Sequence, residues 1–356
     1  MNNESGITNQ ELRILLQEIV SHVDEEVVVC GFVKIRRDHG KLIFLDVEDR
    51  TARAQIVVNA KVSPDAYAVA QELRPESAVS ITAKVNKRPE SAVNHELATG
   101  TVELEATKIV ILAQAETLPF DMGGKDLHLE LPTLLDNRSL TLRHHKIKSI
   151  FAVQAAILEG FRTVAKSIGC TEIVVPTLAA SSTEGGAEVF RVDYFEHKAF
   201  MTQSPQLYKQ MLVPVFERVF TIAHAYRAEP SVTTRHLTEV TMMDCEFGFV
   251  EFEDLLDLFE TVGIETLRHA EKVCEAIVKA YEIDPVAYGN IARLTLREAQ
   301  EIIYKEFDRD SRGEKDLAPQ DEVDICVWAK KTHNSDFVTI THFPTKKRAF
   351  YTRPLW

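Results

Sequence analysis

The sequence predicts an α+β protein in two parts, a small closed β-barrel followed by an antiparallel sheet flanked by helices. Three observations predict it. Short alternating apolar runs crowd residues 26–112, a Pro- and Gly-containing stretch follows, and beyond Arg143 helical periodicity surrounds one long charged hairpin. At 356 residues the chain is long enough for two cores. Its 45% hydrophobic and 27% charged residues are those of a soluble globular chain. No run reaches the length of a membrane span, and the N-terminus has no charged-then-apolar leader pattern. Cys30, Cys170, Cys245, Cys274 and Cys326 show neither zinc spacing nor a paired framework, which favours a reducing cytoplasm. A net charge of −13 argues against a broadly basic nucleic-acid binder and leaves room for a local basic patch.

In order, 9–23 reads as a short amphipathic helix through Leu12, Leu15, Leu16, Ile19 and Val20. Strands are expected at 26–35, 41–47, 52–58, 78–85 and 101–112, with a helix at 65–73 between the third and fourth. Five strands so spaced suit a closed barrel of the oligonucleotide-binding kind, an OB-fold. Lys34, Arg36 and Arg37 give it a local basic patch, Phe44 an aromatic platform, and Gln55 and Glu103 hydrogen-bonding groups, the equipment with which such barrels read splayed bases. Singly, Phe44 fits the barrel core equally well, and Glu103 an ordinary exposed strand position.

Residues 114–136 have linker composition, so a boundary is expected there. A long helix should run from Arg143 to just before Gly169, and a strand at 172–175 should stop at Pro176. The loop SSTEGGAEVF places Glu184 beside two glycines, which suits either a closing flap or a plain turn. A strand at 198–202 leads to a helix with Ser204 as N-cap and Pro205 at its first position. Gln206 and Lys209 then share a face of the first turn. A lysine there opposes the helix dipole, which points to a nearby anion unless the lysine is solvated.

The chemistry concentrates in FTIAHAYRAEPSVTTRHLTEVTMMDCEFGFV, residues 220–250. Arg227 and Glu229 share one face of its first strand, Asp244 and Glu246 one face of its second, and Arg235 and His236 sit in the loop with donors suited to phosphate oxygens. A solvated edge hairpin with surface ion pairs fits the same letters. Helices are expected at 252–281 and 296–307, and a strand at 337–342 reaching the main sheet.

The blocks TEGGAEVF, QSPQLYKQ and AYRAEPSVTTRHLTE…DCEF together resemble a class II aminoacyl-tRNA synthetase. Within that class the chain is similar to the aspartyl-tRNA synthetases of archaea and eukaryotes, and CGFVKIRRDHGKLIFLDVEDR with RPESAVNHELATGTVELEA resembles their anticodon-binding barrel. The resemblance implies an anticodon-binding domain at 1–113, a hinge at 114–142 and a catalytic domain at 143–356. It implies that Arg227 holds the α-phosphate of ATP and the substrate carboxylate, that Glu229 lies beside the adenine, and that Arg235, His236 and Leu237 belong to the loop gripping ATP. Gln206, Lys209 and Asp244 correspond to the aspartate pocket, and Glu184 to the flap over it. Arg37, Phe44, Gln55 and Glu103 correspond to the anticodon-reading groups, and Pro176 to the interface of a homodimer. The implied substrates are ATP, with Mg²⁺, and L-aspartate, and the implied partner is tRNA(Asp), with tRNA(Asn) left open. No membrane or DNA partner is implied.

Lys209 favours aspartate over asparagine, since an amide would leave its charge unpaired, at about 1–3 kcal/mol. Two departures stand out. Val240 replaces the aromatic residue that stacks on adenine in the family. The chain also ends at Trp356, whereas the family continues for roughly a further third of a domain. That segment carries the metal-binding acid, a second arginine for aspartate and a Gly-rich motif ending in Glu-Arg. The expectation is therefore an aspartate–tRNA ligase cut short before this motif 3, whose 356 residues alone have little aminoacylation activity. The alternatives are a non-catalytic tRNA-binding paralogue, an asparaginyl-tRNA synthetase-like enzyme and an amide-forming synthetase descended from the same fold, the last disfavoured by the intact barrel.

Overall fold

Alternation with a period of two shapes the first unit. Ile43, Leu45 and Val47 of one strand and Ala54, Ile56 and Val58 of the next point inward and are buried, while the residues between them stay half-exposed. Here the computed structural model describes residues 13–124, 126–181, 189–228, 237–348 and 351–352. The chain forms two compact units, Met1–Lys148 and Ser149–Trp356. In the first, β1 (Glu26–Asp38), β2 (Leu42–Glu48), β3 (Arg53–Asn59), α1 (Pro64–Glu72), β4 (Ala78–Lys87) and β5 (Val102–Ala113) follow the expected order. The strands close a barrel in the order β1-β2-β3-β5-β4, with β1 pairing β4. The β3–β5 pairing is parallel, Ile56 against Leu104.

Of the helix expected at 9–23, residues 9–12 lie outside the described residues, and 13–23 hold instead a six-residue 3₁₀ turn, Leu16–Ser21. Residues three apart eclipse in that geometry, so Leu16 and Ile19 both enter the barrel core. Asp49 anchors the turn. Its carboxylate accepts from the Leu16 N–H at 2.9 Å, the Thr51 N–H at 2.7 Å and hydroxyl at 2.6 Å, and the Ala52 N–H at 3.1 Å. Two short helices follow, α2 (Leu131–Asp136) and α3 (Arg138–Thr141).

The second unit carries α4 (His145–Ser167), β6 (Thr171–Glu172), β7 (Leu178–Ala179), β8 (Arg191–Tyr194), β9 (His197–Met201), α5 (Gln206–Phe216), β10 (Arg218–Tyr226) and β11 (Glu239–Phe247). The hairpin pairs β10 with β11 antiparallel, and β6 adds to β10 in parallel. The strand expected at 172–175 is thus only Thr171–Glu172, because beyond Ile173 the chain turns outward and Val174 is 96% exposed. The helix expected at 252–281 breaks at buried Cys274 into α6 (Phe252–Val273) and α7 (Glu275–Ala280). Then come β12 (Ala292–Thr295), α8 (Leu296–Phe307), α9 (Pro319–His333) and β13 (Val338–Thr341). The start of α8 is fixed by a capping box between Thr295 and Glu298. The strand expected to reach the main sheet does not do so: β13 pairs in parallel with β12 in a separate sheet over α8 and α9.

Burial pushes the Asp49 carboxyl up, but the Thr51 hydroxyl and the Leu16, Thr51 and Ala52 N–H groups outweigh it and hold it below its ordinary value of 3.8. A depressed carboxylate stabilises the fold above that ordinary value and loses this contribution as pH falls through the folded one. Asp49→Ala should therefore lower unfolding free energy by about 2–3 kcal/mol at pH 7. Urea titrations at neutral pH and near pH 3 check this, and the gap between the two proteins should shrink in acid.

Candidate active site and base-reading face

The register of the hairpin decides which charges meet. Val219 pairs Glu246 and Thr221 pairs Asp244, so both carboxylates share a face with the buried Val219, Thr221, Ala223 and Ala225. Helix α5 supplies their partner. Lys209 is only 3% exposed, with Nζ 3.0 Å from Asp244 Oδ1 and 3.5 Å from Glu246 Oε2. Gln206, one turn earlier on the same face, donates from Nε2 to Glu246 Oε2 at 3.1 Å. Asp244 Oδ2 is buried and has no hydrogen-bond partner among the described residues.

Two expectations are corrected here. Pro205 is the N-cap of α5, one residue later than expected, although the Ser204 hydroxyl still accepts from the Gln206 N–H at 3.2 Å. The anion that Lys209 needs near the helix start is supplied by β11 itself. Its charge is not waiting unpaired for a ligand, because two carboxylates already face it.

Arg227 follows β10, its N–H bonded to the Thr238 carbonyl at 2.9 Å. Alternation continued from Thr221 puts position 227 on the same face of the strand line. It and Leu237 are exposed. Glu184, Glu229, Arg235 and His236 lie outside the described residues. Pro176 is exposed. Val240, half-buried, pairs Ala225. Cys245 points to the other face, where the neighbouring Cys170 thiol and burial push its own thiol up. An apolar cavity of about 440 Å³ opens there, lined by Phe161, Phe247, Phe259 and Val262 and bordered by Asp244.

In the barrel, Arg37 stands opposite Phe44, and Asp46 opposite Gln55. The β3–β5 register puts Gln55 beside Glu103. Phe44, Gln55 and Glu103 all lie on the half-exposed outer surface, so Phe44 is not a core residue; the His39 ring meets its edge at 5.5 Å. Arg37 pairs with Asp46 at 2.8 Å. Two residues were missed as members of these sites. Glu246 had a signal, its shared parity with Asp244. Arg88 had none: it sits past β4 yet donates from Nη2 to Gln55 Oε1 at 2.8 Å, with Nε 3.6 Å from Glu103 Oε2.

Comparison with known proteins identifies the family. The family model described as tRNA synthetases class II (D, K and N) matches residues 130–355, and that of the OB-fold nucleic acid binding domain matches 27–112. The aspartate–tRNA(Asp/Asn) ligase of Deinococcus radiodurans is 34% identical over 98% of this chain and 77% of its own length. That of Thermus thermophilus is 34% identical over 96% and 78% respectively. A putative aspartyl-tRNA synthetase from Leishmania major superposes with a TM-score of 0.86 at 23% identity, over 99% of this chain and 78% of that one. The asparaginyl-tRNA synthetase of Pyrococcus horikoshii in complex with asparaginyl-adenylate gives 0.80 at 24%, over 96% and 76%; at such identities the likeness is one of fold. With one model spanning most of its length and relatives a third identical along nearly all of it, this chain belongs to the class II tRNA synthetases of the D, K and N group.

Proposed function

We propose that this chain is a cytoplasmic aspartate–tRNA ligase, in which the buried Lys209 between Asp244 and Glu246 forms the amino-acid pocket. The α-carboxylate of L-aspartate attacks the α-phosphorus of ATP and pyrophosphate leaves; a terminal hydroxyl of tRNA(Asp) then attacks the carbonyl and AMP leaves. Neither step needs a covalent protein intermediate, so the side chains position reactants and offset charge. Arg227, permanently charged and bidentate, suits the α-phosphate and the carboxylate attacking it. Glu229, Arg235, His236 and Leu237 complete the ATP site, and Glu184 closes over the amino acid. Mg²⁺ would offset phosphate charge; among the described residues no group of three or more His, Cys, Asp or Glu side chains could hold it.

Asp244 is the acceptor for the α-ammonium, because its second oxygen is buried without a partner. An ammonium arriving there loosens the hold of Asp244 on Lys209, which then turns a donor to the side-chain carboxylate of the substrate. One observation favours a second reading, asparagine. Lys209, Asp244 and Glu246 sum to one negative charge, so an ammonium with a neutral amide leaves the set neutral, whereas aspartate calls for a further cation. The aspartate reading rests on the relatives together with the lysine. The barrel, residues 1–113, reads the anticodon through Arg37, Phe44, Gln55 and Glu103, joined by the hinge 114–142 to the catalytic domain 143–356; tRNA(Asn) is a second acceptor if its anticodon is admitted. A homodimer buries the surface around Pro176 and the exposed Val174 and Leu178.

Calorimetric titration with non-hydrolysable aspartyl- and asparaginyl-adenylate analogues tests the substrate. The aspartyl analogue should bind at least about tenfold more tightly, and Lys209→Met should erase the difference. Equal or reversed affinities would move the assignment to asparagine; binding of tRNA(Asp) with neither analogue would leave a non-catalytic tRNA-binding paralogue. Lys209→Met should also cost about 3 kcal/mol in denaturant unfolding, because it strands two carboxylates around an apolar side chain, and Asp244→Asn in the same protein should recover part of it. Val174→Asp should shift the sedimenting species from dimer to monomer; an unchanged mass would place the contact elsewhere.

A further inference from the structure

We propose that the outer face of β1 and β4 carries a nucleotide site, with a base against Phe32 and its phosphate among Arg13, Arg50 and Lys148. The site is separate from the amino-acid pocket and from the row Phe44, Gln55 and Glu103, and it stands whether or not those assignments hold. A cavity of about 520 Å³ opens there, within the size range of small-ligand sites, and every residue lining it belongs to the first unit. Phe32 stands where β1 exchanges one partner for the other, opposite Ala78 of β4 and Glu48 of β2. Its neighbours in the recess are small, Cys30, Gly31 and Ala78, and the ring is 43% exposed. The Arg143 guanidinium lies over the ring, 5.3 Å from its centroid, and adds a second flat group. Aromatic rings and guanidinium planes are the groups on which unpaired bases stack.

The charges around this floor are of two kinds. Glu76, its side chain 3% exposed, is held by Lys34 at 2.7 Å and by Arg143 at 3.3 Å, and Lys34 also donates to the Arg143 carbonyl at 3.3 Å. Those contacts build the wall. The remaining cations are held loosely: Arg13 stands 3.7 Å from Asp49 and Lys148 3.8 Å from Glu48, both beyond hydrogen-bond reach. Their carboxylates are satisfied elsewhere, Asp49 by the Leu16, Thr51 and Ala52 donors and Glu48 by Arg53 at 2.9 Å. Arg50, exposed on the turn after β2, has no hydrogen-bond or ion partner among the described residues. The lining thus holds two positive charges in excess, on a chain whose net charge is −13. An apolar floor rimmed by loosely paired cations suits a ligand with a flat body and an anionic end, and a nucleoside phosphate has both. Its source is a free nucleotide or one nucleotide of an RNA strand.

The test is calorimetric titration of the full chain with uridine 5′-monophosphate, whose base is not that of ATP, with uridine and inorganic phosphate as its two halves, and with a uridine hexanucleotide. The monophosphate should bind at least about tenfold more tightly than either half, since stacking and charge act together. Arg50→Glu and Phe32→Leu should each weaken it about tenfold, while Phe44→Ala and Arg227→Ala should leave it within about twofold. Arg50→Glu changes an exposed turn and decides the matter alone if Phe32→Leu does not fold. A hexanucleotide bound at least about tenfold more tightly than the monophosphate, with that gain lost in Arg50→Glu, identifies an RNA strand as the occupant. The salt dependence of its binding should then fall by about one unit of slope in the variant. Equal affinities, or a gain that survives Arg50→Glu, identify the free nucleotide. Absence of monophosphate binding, or binding that Arg50→Glu leaves unchanged, overturns the site.

Discussion

An ammonium group that is almost sealed from water governs the second unit. Lys209 needs counter-charge where solvent cannot supply it, and only the β10–β11 register that pairs Thr221 with Asp244 brings both β11 carboxylates beneath α5. A slip of one residue would turn Asp244 and Glu246 to the opposite face, where Cys245 and Phe247 now pack with Phe161 and Phe220. The ion cluster thus does two things at once. It specifies the hairpin, and it holds an amino-acid-sized set of charges on a rigid sheet, as a binding constellation requires.

The barrel was the most legible part of the chain because its local signals agree. The period of two, the spacing of the turns and the helix after β3 all indicate the same topology, and each expected strand forms, with ends shifted by at most three residues. Legibility failed where tertiary contacts overrode local pattern. The N-terminal segment carries helical spacing but is reshaped by Asp49, which takes the Leu16 N–H from far along the chain. The 252–281 segment has continuous apolar periodicity, and nothing in its letters marks the break at Cys274. Strand β13 was recognised but sent to the wrong sheet, because pairing partners are set by β12, a four-residue strand too short to announce itself.

The candidate site divides in the same way. Gln206 and Lys209 on one helical face, and Asp244 and Glu246 on one strand face, follow from periodicity alone. That the two pairs touch does not, since strand register and the docking of α5 are long-range facts. The dipole argument for an anion near Lys209 was sound in its physics, but the anion came from the protein. A buried lysine asks for a negative charge without saying whether a ligand or a neighbouring strand provides it.

The two surfaces share one device with opposite polarity. Gln206 donates its amide nitrogen to Glu246, which leaves its oxygen as the free end, an acceptor suited to an ammonium. Gln55 gives its amide oxygen to Arg88, which leaves the nitrogen as the free end, a donor suited to a carbonyl. A glutamine amide alone does not discriminate, because it can rotate to present either end at little cost. Fixed against a charge, it presents one end only: a carboxylate partner leaves the oxygen as acceptor, and a guanidinium partner leaves the nitrogen as donor. In the absence of that partner the side chain would still be present, yet either end of the amide could face outward. The orientation of Gln206 and Gln55 therefore rests on Glu246 and Arg88 behind them; strand parity put Glu246 beside Asp244, whereas nothing in the letters marked Arg88.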